Sequence, residues 1–386
     1  MEKRRICFPI LSRAYYGRRK LLLSKLSKHP GVDLQVIVGG SALLEKYSGS
    51  LAKEIDLDDF NIREKLYNVI EGGNHVAMAK TACLTALEFV NDLYKLDPHM
   101  VIIEGDRYEQ LPVAMAAAYL NKTIAHIEGG DLSGSIDESI RHSISKLAHF
   151  HFVTNEDSLK RLVSMGENPK TIFNVGSLDI EFCSGVKNQI SQKFLNDHGV
   201  GDPIDLAKPY VMVMLHPVTS GANNREHASA IFEMLQEVGL QTIWFWPNSD
   251  AGTDEISEVI RHFREKKAAA KNGTFRFITN LPAEEFIALL KNSACLIGNS
   301  SAGIKECSYL GVPAVNIGDR QRGRLRAENV KDAGFDPGQI ANAVKEKLRH
   351  GPYQPSNIYY KPDSAARMVD LLTSVELYTQ KQFYEA

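Results

Sequence analysis

The 386-residue chain has little cysteine: Cys7, Cys83, Cys183, Cys295 and Cys307 are its only thiols, and no two share C-x-x-C spacing. A disulfide scaffold and a thiolate zinc site are therefore excluded, and the five read as reduced thiols of a cytoplasmic protein. Net charge is nearly absent as well. Forty-five Lys and Arg against 47 Asp and Glu leave −2 at pH 7, so no overall cationic field draws nucleic acid or an anionic membrane. Neither is expected as a partner, and any anionic ligand must be held by a local basic site. Long apolar runs are missing too. Lys3-Arg4-Arg5 precedes a very short apolar stretch that meets Pro9, too brief for a signal-peptide core or a bilayer span. There is no low-complexity tract and no internal repeat, which removes solenoids and propellers. The G-x-S-x-G elbow, the P-loop lysine motif and the G-x-G-x-x-G fingerprint do not occur, which weakens hydrolase, NTPase and dinucleotide oxidoreductase readings. His149-x-His151 alternates along a strand with no third ligand nearby, and no H-E-x-x-H occurs. No metal and no cofactor is expected.

What is present is an ordinary globular composition, 44% hydrophobic and 24% charged, in which short apolar runs alternate with longer amphipathic segments throughout. That alternation predicts an α/β fold of parallel sheets wrapped by helices. In the first half the strand runs are 5–10, 34–38, 100–104, 123–127, 149–154 and 171–175. In the second they are 210–215, 241–246, 274–278, 294–297 and 314–317. The polar stretch from Gln189 to Pro209 carries Gly199, Gly201 and Pro203 and suits a connection. Residues 1–180 are thus expected to form one Rossmann-like domain and 181–364 a second. A terminal helix over about 365–386 follows the Pro- and Tyr-rich Gly351 to Pro362 and is expected to pack back onto the first domain.

Ligands of open parallel sheets bind at the carboxyl ends of strands. Three such places in the first half are acidic: Glu104-Gly105-Asp106-Arg107, Glu128-Gly129-Gly130-Asp131, and the helix opening Ile136-Asp137-Glu138. Carboxylates gathered at one sheet edge raise one another's pKa, so the group can hold both a proton donor and an acceptor. The plainer reading has Asp137 and Glu138 favouring a helix N-terminus, with Asp137 paired to Arg141 at i,i+4. Gly129-Gly130 favours the functional reading, since paired glycines let backbone approach a ligand. In the second half, Gly298-Asn299-Ser300-Ser301-Ala302-Gly303 follows a strand and precedes a helical segment, a pattern that exposes backbone N–H groups to an anion. An ordinary Ser-capped turn is the alternative. Glu306 suits neutral hydroxyls or a plain surface position. Arg320, Arg322, Arg324 and Arg326 supply local positive charge or are merely solvated. His216-Pro217 and Arg13 each follow the first strand of their half.

Taken in order, these motifs resemble the hydrolysing UDP-N-acetylglucosamine 2-epimerases of sialic and legionaminic acid biosynthesis, and more widely the GT-B arrangement of nucleotide-sugar enzymes. The resemblance runs through most of the chain. It rests on Gly105-Asp106-Arg107, His126-Ile127-Glu128-Gly129-Gly130-Asp131, Ser135 to His142, Leu215-His216-Pro217-Val218-Thr219, Pro247 to Gly252, Gly298-Asn299-Ser300-Ser301 and Gly318-Asp319-Arg320-Gln321. It implies an active site in the cleft between two Rossmann-like domains, with Asp106, Glu128 and Asp137 as the acid–base carboxylates and Arg107 as a neighbouring substrate contact. Ser300 and Ser301 would hold a diphosphate, Glu306 the ribose hydroxyls, and His216, Arg13 and Arg320 the phosphate charge, with Asn248 lining the same pocket. A UDP-linked sugar is the implied substrate and a homo-oligomer, dimer or tetramer, the implied assembly.

Two positions depart from the family pattern. Tyr15 stands where an acidic residue is usual, and Ala42 where histidine is usual. Together they suggest a sugar-facing wall altered towards a 4-acetamido-4,6-dideoxy sugar, UDP-N,N'-diacetylbacillosamine rather than UDP-N-acetylglucosamine. A GT-B glycosyltransferase and a catalytically inactive nucleotide-sugar-binding regulator are the competing readings. Three grouped carboxylates weigh against the first, since a simple inverting transferase needs one base.

Overall fold

A strand covered on both faces must be apolar throughout, and two sets of such runs define the molecule. The computed structural model describes residues 2–48, 51–58, 60–221, 223–270 and 274–385. The first set comprises β1 (Arg4–Ile10), β2 (Val32–Gly39), β3 (Ile62–Leu66), β4 (Met100–Glu104), β5 (Thr123–Ile127), β6 (Phe150–Val153) and β7 (Ile172–Asn174). These make a parallel sheet in the order β3-β2-β1-β4-β5-β6-β7. The second set is β8 (Val200–Gly201), β9 (Tyr210–Met214), β10 (Gln241–Phe245), β11 (Phe275–Ile278), β12 (Cys295–Gly298), β13 (Ala314–Ile317) and β14 (Val330–Ala333). Its order is β14-β13-β12-β9-β10-β11-β8, parallel except where β8 runs against β11.

Both sheets are wound alike. The strand order reverses between β1 and β4 in the first and between β9 and β12 in the second, and those reversals open the crevices in which doubly wound sheets take ligands. All eleven runs read from the sequence fall on strands. The three that escaped, β3, β8 and β14, lie at sheet edges. β3, Ile-Arg-Glu-Lys-Leu, alternates half-buried with exposed residues, and β14, Val-Lys-Asp-Ala, has two exposed charges at its centre, so neither presents an apolar run.

The terminal segment also departs from expectation. Its helix spans only Ser364–Ser374, burying Ala365, Met368, Val369 and Leu372 in the core beneath the first sheet. The Arg4 guanidinium caps its end by donating to the Leu372 and Val375 carbonyls at 2.6 and 3.0 Å. Beyond it the chain is irregular, because groups a longer helix would use are taken by the first domain. Thr123 Oγ1 donates to the Tyr378 carbonyl at 3.0 Å, His149 Nε2 bonds the Thr379 carbonyl at 3.0 Å, and the Tyr378 hydroxyl donates to the His149 carbonyl at 3.0 Å. Among the described residues no helix is long and apolar enough to cross a membrane.

Candidate functional site

The two reversals open onto one cleft. Its lining draws on the turns after β1, β4 and β5 from one side and after β9, β10, β11, β12 and β13 from the other. Seven cationic side chains (Arg13, Arg18, Arg19, Arg107, Lys305, Arg320 and Arg324) and four acidic ones line it, in a chain whose net charge is −2. The local basic site that the composition required is therefore here.

The first domain supplies the acids. Asp106, directly after β4, is paired with Arg141 from the helix Ile136–Leu147 and lies 3.9 Å from Arg324 of the other domain. Glu128, directly after β5, has φ of 65°, a left-handed conformation that side-chain-bearing residues seldom take, and its N–H is tied to the Phe152 carbonyl at 2.9 Å. Its carboxylate accepts from Lys305 Nζ at 2.6 Å. Asp131, buried in the same turn, accepts from Ser158 Oγ at 2.6 Å and lies 3.7 Å from Lys305. Burial alone would raise its pKa, but Lys305 and Arg324 hold it below the usual carboxylate range. Behind them Glu104 behaves oppositely. Burial pushes it up to about 8 despite its pairing with Arg19, and the charge of Glu128 adds to the rise. Glu104 thus keeps its proton at neutral pH while Asp131 is held ionised.

Asp137 enters through the second domain. Ser135 caps its helix, accepting from the Asp137 N–H at 3.4 Å, and the carboxylate lies 3.4 Å from Arg320. The i,i+4 pairing with Arg141 does not form, because Arg141 is buried and turned inward, donating to the Asp131 carbonyl at 2.9 Å and pairing with Asp106. Gly129-Gly130 has a structural use as well. A Cβ on Gly129 would stand 2.9 Å from His126 Nδ1 and Ser145 Oγ, and one on Gly130, at φ 79°, would strike the Ser158 carbonyl. These glycines admit neighbouring protein rather than a ligand.

The second domain supplies hydroxyls, amides and cations. After β12 the chain forms a 3₁₀ turn, Ser301–Gly303, with Ser300 Oγ accepting from the Ala302 N–H at 3.3 Å. Among the described residues the Ser300 and Ser301 amides donate to no protein group. Arg320 donates to the Asn299 carbonyl at 3.2 Å, and Asn299 in turn accepts from the His216 N–H at 2.8 Å, so that turn, the histidine and the arginine form one unit. His216 Nδ1 accepts from the Asn248 N–H at 3.3 Å, which leaves Nε2 as the donor. Burial, with Arg320, Arg13 and Arg107 nearby, keeps the ring well below its ordinary pKa and hence neutral. Arg13 reaches across, donating to the Tyr47 carbonyl at 2.7 Å, to the Trp246 carbonyl at 3.3 Å and to the Thr279 carbonyl. Burial, with Arg107 close by, lowers it to about 10. Arg107 likewise joins the halves, pairing with Glu109 at 3.0 Å and Asp250 at 3.1 Å.

Ten of the eleven candidates therefore gather at or beside this cleft: Arg13, Asp106, Arg107, Glu128, His216, Asn248, Ser300, Ser301 and Arg320 line it, and Asp137 is tied to Arg320. Glu306 lies behind the lining, fully buried and paired with Arg18, so Arg18 is what reaches the cleft surface there. The two substitution positions also separate. Tyr15 lines the cleft, its hydroxyl so near Gly105 that a Cβ there would stand 2.8 Å from it. Ala42 is 1% exposed in the core beneath the first sheet and does not line the cleft, so it forms no part of a sugar-facing wall. Sequence reasoning overlooked Lys305, Arg18 and Arg19. Arg18-Arg19 follows Tyr16-Gly17 in the turn region after β1, and Lys305 precedes Glu306. For Lys305 the available signal was its place beside the motif acid Glu306, and for Arg18-Arg19 it was their place in the turn after the first strand of their half. The His149 ring is held by the Ile124 N–H and the Thr379 carbonyl, and the His151 ring by Glu167.

Two Rossmann-type sheets facing each other across one cleft are the GT-B-like arrangement. The family model described as UDP-N-acetylglucosamine 2-epimerase matches residues 24–373, and the chain belongs to that family as a 2-epimerase of the hydrolysing type. It is 33% identical over 378 residues to the UDP-N,N'-diacetylbacillosamine 2-epimerase (hydrolyzing) of Legionella pneumophila, covering 98% of this chain and 97% of that one. It is 31% identical over 381 residues to the UDP-N-acetylglucosamine 2-epimerase of Neisseria meningitidis, covering 97% of each. Among solved structures, that of the Methanocaldococcus jannaschii UDP-GlcNAc 2-epimerase in complex with UDP-GlcNAc and UDP superposes with a TM-score of 0.77 at 19% identity, over 96% of this chain and 99% of that one.

Proposed function

We propose that the protein acts on a UDP-linked 2-acetamido sugar, releasing UDP and the free sugar inverted at C2. The observation that carries the reading is the opposition of Asp106 and Glu128, with Asp137 beside Arg320, to Ser300, Ser301, His216 and Arg320 of the second domain, with Arg13 reaching across from the first. A base among the carboxylates takes the C2 proton while the C1–oxygen bond to UDP breaks, and the electron pair of the C–H bond becomes the C1=C2 bond of a glycal. Water then adds hydroxide to C1, and a carboxylic acid returns a proton to C2 from the opposite face. The second domain's role is to bind the leaving diphosphate: two amides, two serine hydroxyls, a neutral His216 donor and arginines offset its charge. A positioned acid or base contributes about 10² to 10⁴ in rate.

The sugar we favour is UDP-N,N'-diacetylbacillosamine, the substrate named for the Legionella relative. Tyr15 supports this: a ring and one hydroxyl at the cleft suit an N-acetyl and a methyl group better than a charged acceptor would. This reading places the enzyme in sialic or legionaminic acid synthesis in the cytoplasm, and the free thiols, four of the five buried, agree with that setting. A homo-oligomer is part of the same reading. Val76, Leu87 and Tyr94 on the helix His75–Leu96, with Tyr119 at the end of the neighbouring helix, are each more than 60% exposed, an apolar face that a second copy would cover. NMR of candidate nucleotide sugars with the protein in D₂O tests the activity. Free UDP with a C2-inverted, C2-deuterated sugar is expected; transfer to an acceptor with C2 unchanged would favour the glycosyltransferase instead.

A further inference from the structure

Of the three cations that sequence reasoning passed over, Lys305 has an unusual position. It belongs to the second domain, within the segment joining the Ser300–Ser301 turn to Glu306, yet its ammonium ends among the acids of the first. Nζ is 2.6 Å from Glu128 Oε2 and 3.7 Å from Asp131 Oδ2, and the side chain is 2% exposed. Its stem runs past Tyr359, with Nζ 5.9 Å from the ring centroid.

Burying an ammonium is costly unless it is paired, so this lysine has its place only against those carboxylates. Around Glu128, among the described residues, stand Arg19 at 4.0 Å, Glu104, Tyr15 and Tyr359, with Asp131 sharing Lys305 and Asp179 sharing Arg19. Arg19 is already committed to Glu104 and to Asp179 at 2.7 Å. Lys305 is therefore the cation in direct contact with Glu128, among neighbours that are otherwise mostly acidic.

The geometry points to Lys305 as a positioning residue: the nucleotide-holding domain lends its ammonium to Glu128 of the other domain, fixing that side chain's aim while the two domains are together. This rests on the reading of Glu128 as one of the acid–base carboxylates. The pairing spans the domains, and the lysine is only a few residues from the turn assigned to the diphosphate. Binding the leaving group and arming the carboxylate are thereby linked through one short segment.

The test compares wild type with Lys305→Met and Lys305→Arg, using Glu128→Gln to assign the Glu128 signal. Side-chain ¹³C NMR of glutamate-labelled protein reads the surroundings of the Glu128 carboxyl directly, without turnover. In Lys305→Met the Glu128 side-chain signal should move clearly from its wild-type position, and Lys305→Arg should restore most of the difference. An unmoved Glu128 signal in folded Lys305→Met overturns the proposal whether or not the enzyme reading holds. In the UDP-release assay, kcat should fall about 100-fold in Lys305→Met with KM within about threefold. Lys305→Arg should recover to within about tenfold of wild type. An equal loss in Lys305→Met and Lys305→Arg, or a loss carried by KM and not by kcat, marks a purely structural lysine and also overturns it. A wild type that releases no UDP defeats the functional reading alone, since the NMR comparison still judges the Lys305–Glu128 link.

Discussion

The two halves of this molecule are wound on one plan and present different side chains at their strand ends. In the first, the turn after β1 carries Arg13, the turn after β4 carries Asp106 and the next turn carries Glu128; in the second, the equivalent turns carry His216 and the Ser300–Ser301 pair. The strands themselves hardly differ in kind, since both sheets are buried apolar layers. Chemistry was therefore assigned by a few residues at the strand ends. Those turns are where side chains can change without disturbing the core.

The sharpest way to break that division of labour is to neutralise the acidic wall. Asp106→Asn, Glu128→Gln and Asp137→Asn are near-isosteric, and each should lower kcat by about 10² to 10⁴ while UDP affinity, measured by calorimetry, stays within a few-fold. If all three kept near-normal turnover, the acids would be structural and the walls would not differ in role. The opposite wall should respond in the opposite way. Arg320→Met should weaken UDP by about 1.5 to 3 kcal/mol, the scale of a lost bond between charged groups, and unchanged affinity would remove Arg320 from the diphosphate site.

Glu306→Ala examines the same wall from behind. It removes the partner of Arg18, so both UDP affinity, by about 1 to 3 kcal/mol, and Tm should fall. A lower Tm with unaltered UDP affinity would make Glu306 a support for the fold alone.

The pH dependence of stability sharpens the comparison further. Glu104 is raised to about 8, above the ordinary glutamate value of 4.5, so between those limits the folded state holds a proton that the unfolded chain has lost. Its contribution is present in full below about pH 4.5 and is lost as pH rises through about 8. Glu104→Gln should therefore flatten the fall of Tm across that window by a few degrees, read by calorimetry; an unchanged slope would show that Glu104 is already ionised. The smallest effect concerns the sugar. Tyr15→Glu should shift the kcat/KM ratio of UDP-N,N'-diacetylbacillosamine to UDP-N-acetylglucosamine towards the latter by about tenfold, within the 1 to 3 kcal/mol that one apolar contact supplies. A ratio that does not move would take Tyr15 out of substrate choice.

Much of this was legible beforehand because burial leaves a strong mark. β4 and β5 are wholly buried and read plainly as strands; β3 and β14 are edge strands with exposed charges, and without two covered faces they carry no such mark. Motif acids were legible for a related reason: an acidic residue just after an apolar strand is placed at a sheet end by chain geometry alone.

The residues themselves determined the alternation of strand and helix, the repetition of one plan, and the presence of acids at one set of strand ends and small polar residues at the other. These are local properties, set by periodicity and by what each short run can bury. Which charge meets which was decided only in three dimensions. Arg141 leaves Asp137 for Asp106, Asp137 meets Arg320 183 positions away, and Lys305 crosses 177 positions to Glu128. Such pairings follow from the approach of two separately built sheets. Their strength depends on distance and burial, and neither is a property of sequence neighbours.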